Sequence, residues 1–268
     1  MLYLDISSAK KELIDKWNSA GICQGDTVLI HSNIRRTLIS YRKKGVKLTV
    51  EDILDTLIKA VGDNGTLLFP LFNFSFPKDK FFDFKSTPSQ MGALTEAARL
   101  NTHSIRTGHP IYSFAVIGKN SSLFKSIDNK SGYGSDSPFA LLMDLDGKIA
   151  SLDLEDQNSM TFYHHVEEME QVDYRYFKDF SGIYVNNNGI ESYRTYQLFV
   201  RNLERNVLTH VNPAGEKLWE NGLYIGEKPK VGHGMRTVRA RDMYTFTKGL
   251  IDSGNAFGNL YIFGGEEQ

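Results

Sequence analysis

The sequence predicts an α/β fold, a central mixed sheet flanked by helices, with an antiparallel annex in the C-terminal third. Two observations carry this reading. Up to about residue 170, amphipathic helical stretches alternate with short apolar runs of strand character. Beyond residue 174 the texture changes to short aromatic and β-branched pieces. No repeat, low-complexity tract or Pro/Ser-rich linker interrupts residues 1–268, so the whole chain reads as one domain.

The elements follow in order. Ser7 or Ser8 caps a first helix that carries Leu13, Ile14, Trp17 and Ala20 at helical spacing and ends at Gly21. Gln24-Gly25-Asp26 turns into residues 27–30, an apolar run read as a buried strand that delivers His31-Ser32 at its end. Thr49 caps a second helix with Ile53, Leu54, Leu57, Ile58 and Val61 on one face, stopped by Gly62. The turn Asp63-Asn64-Gly65 leads into a strand over residues 66–70. A helix is expected over 89–100 and a strand over 113–117. Ser137 is placed as the cap of a helix with Pro138 at its first position. A fourth strand covers 149–154, before a helix from about 159 to 170. In the annex, residues 193–200 form the main strand, with shorter pieces around Tyr176, Ile183 and Val185. A helix near 241–251 and a strand at 260–263 close the chain.

Composition narrows the classes of function. A formal net charge of −1 gives no global attraction to nucleic-acid phosphates or anionic lipid. The one basic run, Arg42-Lys43-Lys44, reads as a solvated loop. A single cysteine, Cys23, excludes an intrachain disulfide and a cysteine-based zinc site; it reads as a small packing residue, and a reducing cytoplasm is the expected location. The first residues are charged by Asp5 and contain no long apolar stretch, so neither a signal peptide nor a membrane span is expected. The partners implied are small molecules rather than nucleic acid or membrane, with homo-oligomerisation left open.

Ligands of α/β sheets bind beyond the carboxyl ends of the strands, which directs attention to three polar loops. These are His31-Ser32-Asn33, the stretch from Pro70 to Phe74 that includes Asn73, and the stretch from Leu154 to Asn158 that includes Asp156. Such residues also serve to cap the adjoining elements. The densest cluster runs from Thr161 to Glu168. On a helix His164 shares a face with Glu167 and Glu168, while Phe162, Tyr163, Val166 and Met169 form the buried stripe. A carboxylate beside an imidazole fixes its tautomer and raises its basicity, as a general base acting on an amine requires. By spacing alone, however, the commoner reading is a surface His–Glu pair worth a few tenths of a kcal/mol. The zinc-protease patterns fail, because Glu168 stands where the second histidine belongs. No metal site is expected; only His31, His109 and His164 remain as residues that could converge in space.

Several segments, taken in order, resemble the aminoglycoside 3-N-acetyltransferase family. The run from Gly25 to Ser32 is similar to its early strand and His-Ser-Ser loop, and the run from Gly65 to Pro70 to its second strand. Gly92-Ala93-Leu94 resembles its Gly-Ala-Leu helix, and the stretch from His109 to Gly118 its His-Pro-x-x-Ser strand. Gly134 through Phe139 is similar to Gly-x-x-Ser-Pro-Phe, Thr161 through Glu167 to Thr-x-x-His-x-x-Glu, and Ala240-Arg241-Asp242 to a late helix start. The resemblance covers roughly residues 10–252. It implies an acetyl-CoA donor and an amine on an aminocyclitol or sugar acceptor. Carried over by position, His164 deprotonates the amine and Glu167 orients it. His31, Ser32, Asn33, Pro70, Ser137, Pro138 and Phe139 line the CoA tunnel, and Asn73, Asp156, Asn158 and Glu168 fall to the acceptor. Two departures stand out. Asn158 replaces an aspartate before the catalytic helix, so Asp156 or Glu168 is a candidate support for His164. Asn33 replaces the second serine of the His-Ser-Ser loop.

Other acyltransferase plans fit less well. Pro229 stands where the common phosphate loop around Gly232-His233-Gly234 needs Arg or Gln, and neither a hexapeptide repeat nor His-x-x-x-Asp-Gly is present. A two-carboxylate glycosidase cannot be assembled from the sequence. For the acceptor, a polycation calls for a strongly acidic site. Acidic residues here concentrate only at Glu167, Glu168 and Glu170, while 17 Phe and 13 Tyr offer surfaces for a base or sugar. A nucleotide-linked amino sugar is therefore the favoured acceptor. An aminoglycoside, with a role in antibiotic resistance, is the alternative, and a non-catalytic CoA- or sugar-binding relative the second alternative.

Overall fold

In the computed structural model, which describes residues 5–265, the strands in chain order are β1 (Thr27–Ser32), β2 (Thr66–Pro70), β3 (Phe81–Asp83), β4 (Ile105–Arg106), β5 (Phe114–Gly118), β6 (Lys148–Leu152), β7 (Arg175–Val185), β8 (Glu191–Arg201), β9 (Val207–Thr209), β10 (Ile225–Gly226), β11 (Met235–Arg239) and β12 (Tyr261–Phe263). The helices are α1 (Ile6–Ser19), α2 (Arg35–Lys43), α3 (Val50–Val61), α4 (Phe76–Asp79), α5 (Ala93–Leu100), α6 (Ser121–Phe124), α7 (Pro138–Asp144), α8 (Phe162–Met169), α9 (Asn212–Glu220) and α10 (Ala240–Asp252).

Seven strands form one mixed sheet in the order β10-β11-β6-β1-β2-β5-β4. Its centre, β6-β1-β2, is parallel, and antiparallel strands extend it on both sides. Central strands covered on both faces should be apolar throughout, as β1 and β2 are. Val28, Ile30, Leu67, Phe69 and Ala150 point into a core shared with Leu13 and Trp17 of α1, Ile53 and Leu57 of α3 and Leu94 of α5. Leu29, Leu68, Val116, Ile149 and Val238 point the other way, against Phe139 of α7, Phe162 and Val166 of α8, Met243 of α10 and the annex. Strand alternation thus separates two cores and makes the sheet the middle of three layers.

Local signals set most element boundaries. Thr49 and Asp52 form a reciprocal capping box at the start of α3, with bonds of 3.1 and 2.8 Å. Gly62 ends α3 at φ +64°, a left-handed conformation that favours glycine. Asp5, rather than Ser7 or Ser8, caps α1, because its carboxylate accepts the Ser8 N–H at 2.7 Å. The helix expected from residue 89 begins only at Ala93, after Gly92 breaks the chain at φ +112°. The helix expected from residue 159 begins at Phe162, because a single 3-10 turn, Asp156–Asn158, precedes it.

Three readings are corrected. Arg42 and Lys43 belong to the helix α2 rather than to a loop. Cys23 is exposed rather than packed. The annex pieces at Tyr176, Ile183 and Val185 are one strand, β7, which pairs with β8 along eleven residues. The annex is built on this antiparallel pair, with the short β3 added in parallel beside β7, and β11, unread in the sequence, enters the main sheet beside β6. No helix among the described residues is long and apolar enough to cross a membrane.

Candidate active site

Helix α8 and the start of β7 build the most chemically loaded cluster. The i, i+3 spacing brings His164 Nδ1 to 2.8 Å from Glu167 Oε2. Glu167 is held from outside its helix as well: Tyr174 donates to Oε1 at 3.0 Å, and Arg175 Nε lies 2.7 Å from Oε2. Arg175 is fixed in turn by donating to the Phe199 carbonyl of β8 at 3.1 Å. The Glu167 side chain is fully buried, whereas His164 keeps 19% of its side chain exposed. A ring reachable from outside is therefore oriented by a carboxylate that is not. The Tyr133 ring meets the imidazole edge-on at 5.3 Å and covers one side of it.

The electrostatics follow from this arrangement. Burial alone would raise the Glu167 pKa, but Arg175 and the bonds from His164 and Tyr174 outweigh it and hold the carboxyl below its ordinary value. Burial, and then the Arg175 charge, lower the His164 pKa below 6.5, against the opposing pull of Glu167. Two neighbours compete for Nδ1, since Arg175 Nη2 also lies 2.9 Å away and can only donate. The ionised carboxylate has no proton to give and needs one, so Nδ1 carries the hydrogen; Arg175 Nη2 has Thr209 Oγ1 as a further acceptor at 3.4 Å. His164 is then a neutral imidazole whose Nε2 takes no hydrogen bond among the described residues.

A cleft of about 800 Å³ opens at the end of β1 and along α2. Ser32 and Asn33, read as CoA-tunnel residues, line it together with Arg35, Arg42 and Asn158, the last of which the sequence reading gives to the acceptor instead. These two arginines are two helical turns apart and share a face of α2. Arg36 between them is taken up by Asp153, whereas Arg35 and Arg42 form no ion pair among the described residues. The Ser32 hydroxyl is buried without a partner. Two cations without an ion pair and an unsatisfied donor beside a partly apolar cleft suit a phosphate-bearing ligand such as CoA. His164 is not in the wall of this cleft, although Asn158 places it only six residues along the chain.

The other sequence-selected residues lie elsewhere. His31 is buried in β1 rather than on the cleft wall, and burial together with Arg236 pushes its pKa down to about 3. Pro70, Ser137, Pro138 and Phe139 are buried, and none lines the cleft. Phe139 packs edge-on against Phe114. Asn73 is buried, its side-chain oxygen accepting from the Ser75 N–H and Gln90. Asp156 does not support His164; it accepts from Tyr163, Tyr224 and Arg236 in the core. Glu168 does not support it either, and accepts from the Ser131 hydroxyl at 2.6 Å. Burial raises the Glu168 pKa to about 7. Sequence reasoning missed Tyr174, Arg175, Arg35 and Arg42. The signals available for the last two were the basic pair following the His31-Ser32-Asn33 loop and the Arg42-Lys43-Lys44 run, read as a solvated loop.

The histidines do not assemble a metal site: among the described residues no group of three or more His, Cys, Asp or Glu is placed to hold one. His109 Nδ1 instead accepts the N–H groups of Ile111 and Tyr112 at 3.2 and 3.0 Å, which requires the neutral ring. Burial pushes its pKa down to about 3. In the unfolded chain its value is near 6.5, so between these two limits the unfolded state binds the extra proton. The stability His109 contributes is therefore complete above pH 6.5 and drains as pH falls towards 3. We expect the melting temperature to drop between about pH 7 and 4, and His109→Asn to flatten that drop while lowering stability at neutral pH. An unchanged pH slope in this variant would refute the assignment.

The Aminoglycoside 3-N-acetyltransferase family profile matches residues 29–252. A curated relative, aminoglycoside N(3)-acetyltransferase VII of Streptomyces paromomycinus, is 26% identical over 181 residues, spanning 60% of this chain and 60% of the relative's length. Among solved structures, aminoglycoside acetyltransferase AAC(3)-Xa superposes with a TM-score of 0.75 at 20% identity, covering 91% of this chain and 92% of that one. AAC-IIIb in a binary complex with CoASH gives 0.75 at 18% identity, over 97% and 98% of the two chains. YokD from Bacillus subtilis gives 0.72 at 19% identity, over 90% and 98%. The profile match begins in β1 and ends at the close of α10, so it takes in the cleft, α8 and the start of β7; the chain belongs to the aminoglycoside 3-N-acetyltransferase family.

Proposed function

We propose that this chain transfers the acetyl group of acetyl-CoA to an amine, with neutral His164 as the general base and Glu167 as the residue that orients it. The observation that carries this is the accessible imidazole bound through Nδ1 to a buried carboxylate, itself held charged by Arg175 and Tyr174. His164 Nε2 takes the proton as the amine nitrogen attacks the thioester carbonyl. The C–N bond forms, the C–S bond breaks, and the imidazolium returns the proton to the departing thiolate. Ser32, Asn33 and Asn158 line the donor cleft, and Arg35 and Arg42 hold donor phosphates at its rim. The pantetheine arm carries the thioester from there to His164.

The acceptor best supported is an aminoglycoside amine. Solved structures of the same fold include AAC-VIa bound to sisomicin and an AAC(3)-IVa mutant in complex with apramycin, which supports the aminoglycoside over the nucleotide-linked amino sugar favoured on charge balance. Thiol release from acetyl-CoA, measured against both classes of amine, tests this. Turnover with nucleotide-linked amino sugars alone would reverse the acceptor assignment, and no thiol release with any amine would leave a non-catalytic relative.

The donor cleft makes a separate prediction. Arg35→Ala and Arg42→Ala should each raise KM for acetyl-CoA by about three- to tenfold with little change in kcat, the effect of losing one exposed charge-assisted contact. An unchanged KM in the double variant would remove the phosphates from α2.

A further inference from the structure

The β4 edge of the sheet carries a second cavity, of about 550 Å³, that shares no lining residue with the donor cleft. Its charge is one-sided. Lys85, Arg99, Arg106, Lys125 and Arg194 line it against one carboxylate, Asp128. Asp128 is already engaged by Arg194 at 2.7 Å and the Tyr196 hydroxyl at 2.8 Å, and Arg99 is held by Glu96 at 2.6 Å. Lys85 and Lys125 are exposed and form no ion pair among the described residues.

Arg106 distinguishes this cavity from a merely basic surface. It is only 7% exposed. Its Nε donates to Ser113 at 3.1 Å, and Nη1 to the carbonyls of Phe84 and Thr87 at 3.1 and 2.7 Å. Its guanidinium stacks 4.6 Å from the Phe82 ring. Among the described residues no carboxylate lies within ion-pair distance of it and Nη2 has no hydrogen-bond partner. Burial and then the neighbouring Arg99 push its pKa down to about 10, against the weaker opposing pull of Tyr184, Glu96 and Asp83. A buried cation is ordinarily paired, because desolvation without a counter-charge is expensive. A guanidinium in the wall of a cavity lined by further cations, with one buried donor left unpartnered, matches the geometry and charge of a phosphate better than those of a single carboxylate.

We propose that this cavity binds the phosphate group of a small phosphorylated metabolite, with Arg106 as the buried anchor and Lys85, Lys125 and Arg194 around it. The volume falls in the range of small-molecule sites, so the organic part of such a ligand can be housed beside the phosphate. The site stands independently of the acetyl-transfer reading.

Titration calorimetry with inorganic pyrophosphate tests the proposal on the full chain. Pyrophosphate should bind in the presence of saturating CoA, and equally well to the Arg35→Ala/Arg42→Ala variant, which separates this cavity from the donor cleft. Lys85→Glu/Lys125→Glu changes two exposed residues, should fold normally by circular dichroism, and should weaken binding by about tenfold or more. Arg106→Lys keeps the charge but loses the fork, and should also bind more weakly. Absence of binding to the wild type, competition by CoA, or wild-type affinity in the Lys85/Lys125 variant would each overturn the site.

Discussion

His164→Ala is expected to lower kcat by about 10²- to 10⁴-fold with the melting temperature nearly unchanged, the usual range for removing a positioned general base. The side chain is partly exposed and meets the Tyr133 ring edge-on, and Glu167 keeps Arg175 and Tyr174 as partners without it. A stopped thiol-release assay beside a thermal melt would separate the two effects. A loss smaller than about threefold would mean that the acceptor amine is deprotonated by another group. The pH profile adds a sharper test. A base works when unprotonated, so activity rises with pH through its pKa; with that value lowered below 6.5, the plateau should already be reached at neutral pH. Arg175 lowers the His164 pKa and Glu167 raises it. Arg175→Met should therefore move the acid limb to higher pH, and Glu167→Gln should move it to lower pH while reducing kcat. A purely structural role for either residue would change the amplitude and leave the limb in place.

Asp156→Ala should destabilise the fold by about 3–5 kcal/mol, the penalty for breaking a buried charge pair from one side. Asp156 Oδ1 accepts from Arg236 at 2.7 Å, and Oδ2 accepts from Tyr163 at 2.9 Å and Tyr224 at 2.7 Å. Arg236 is only 1% exposed, so removing the carboxylate strands a guanidinium in the core. Burial and the Asp156 charge together push the Tyr163 and Tyr224 phenols well above their ordinary value, so both remain donors. For a chain of this size the loss corresponds to a drop of roughly 10 °C in melting temperature. Tyr163→Phe, which removes one donor and leaves the ion pair, should cost far less. A melt of Asp156→Ala within a few degrees of wild type would contradict the network and return Asp156 to the role of an acceptor ligand.

The two residues that carry these predictions show where local reading succeeds and where it stops. The pairing of His164 with Glu167 follows from about 3.6 residues per turn, and so it could be read directly from positions three apart. The same holds for the Thr49 capping box, for the apolar β1 and β2 at the centre of the sheet, and for the ordered motifs that mark the family. Each is a property of neighbours along the chain. Spacing, however, leaves a solvated surface pair and a pair anchored on a buried carboxylate indistinguishable. The difference comes from Tyr174 and Arg175, just before and at the start of β7, which reach Glu167 from outside its helix while Arg175 is held by the Phe199 carbonyl of β8.

Asp156 shows the same limit from the other side. It sits in a strand-end loop where acceptor ligands are expected, yet Tyr224 and Arg236, 68 and 80 positions further on, close over it and make it a core residue. Arg236 arrives there on β11, a strand that joins the sheet antiparallel to β6 and has no local signature strong enough to be read in advance. Periodicity, capping and turn chemistry act over a few residues and are written in the sequence. Burial, and with it the charge state of every carboxylate and imidazole in the site, is set by which distant segments pack together, and only the tertiary structure decides that.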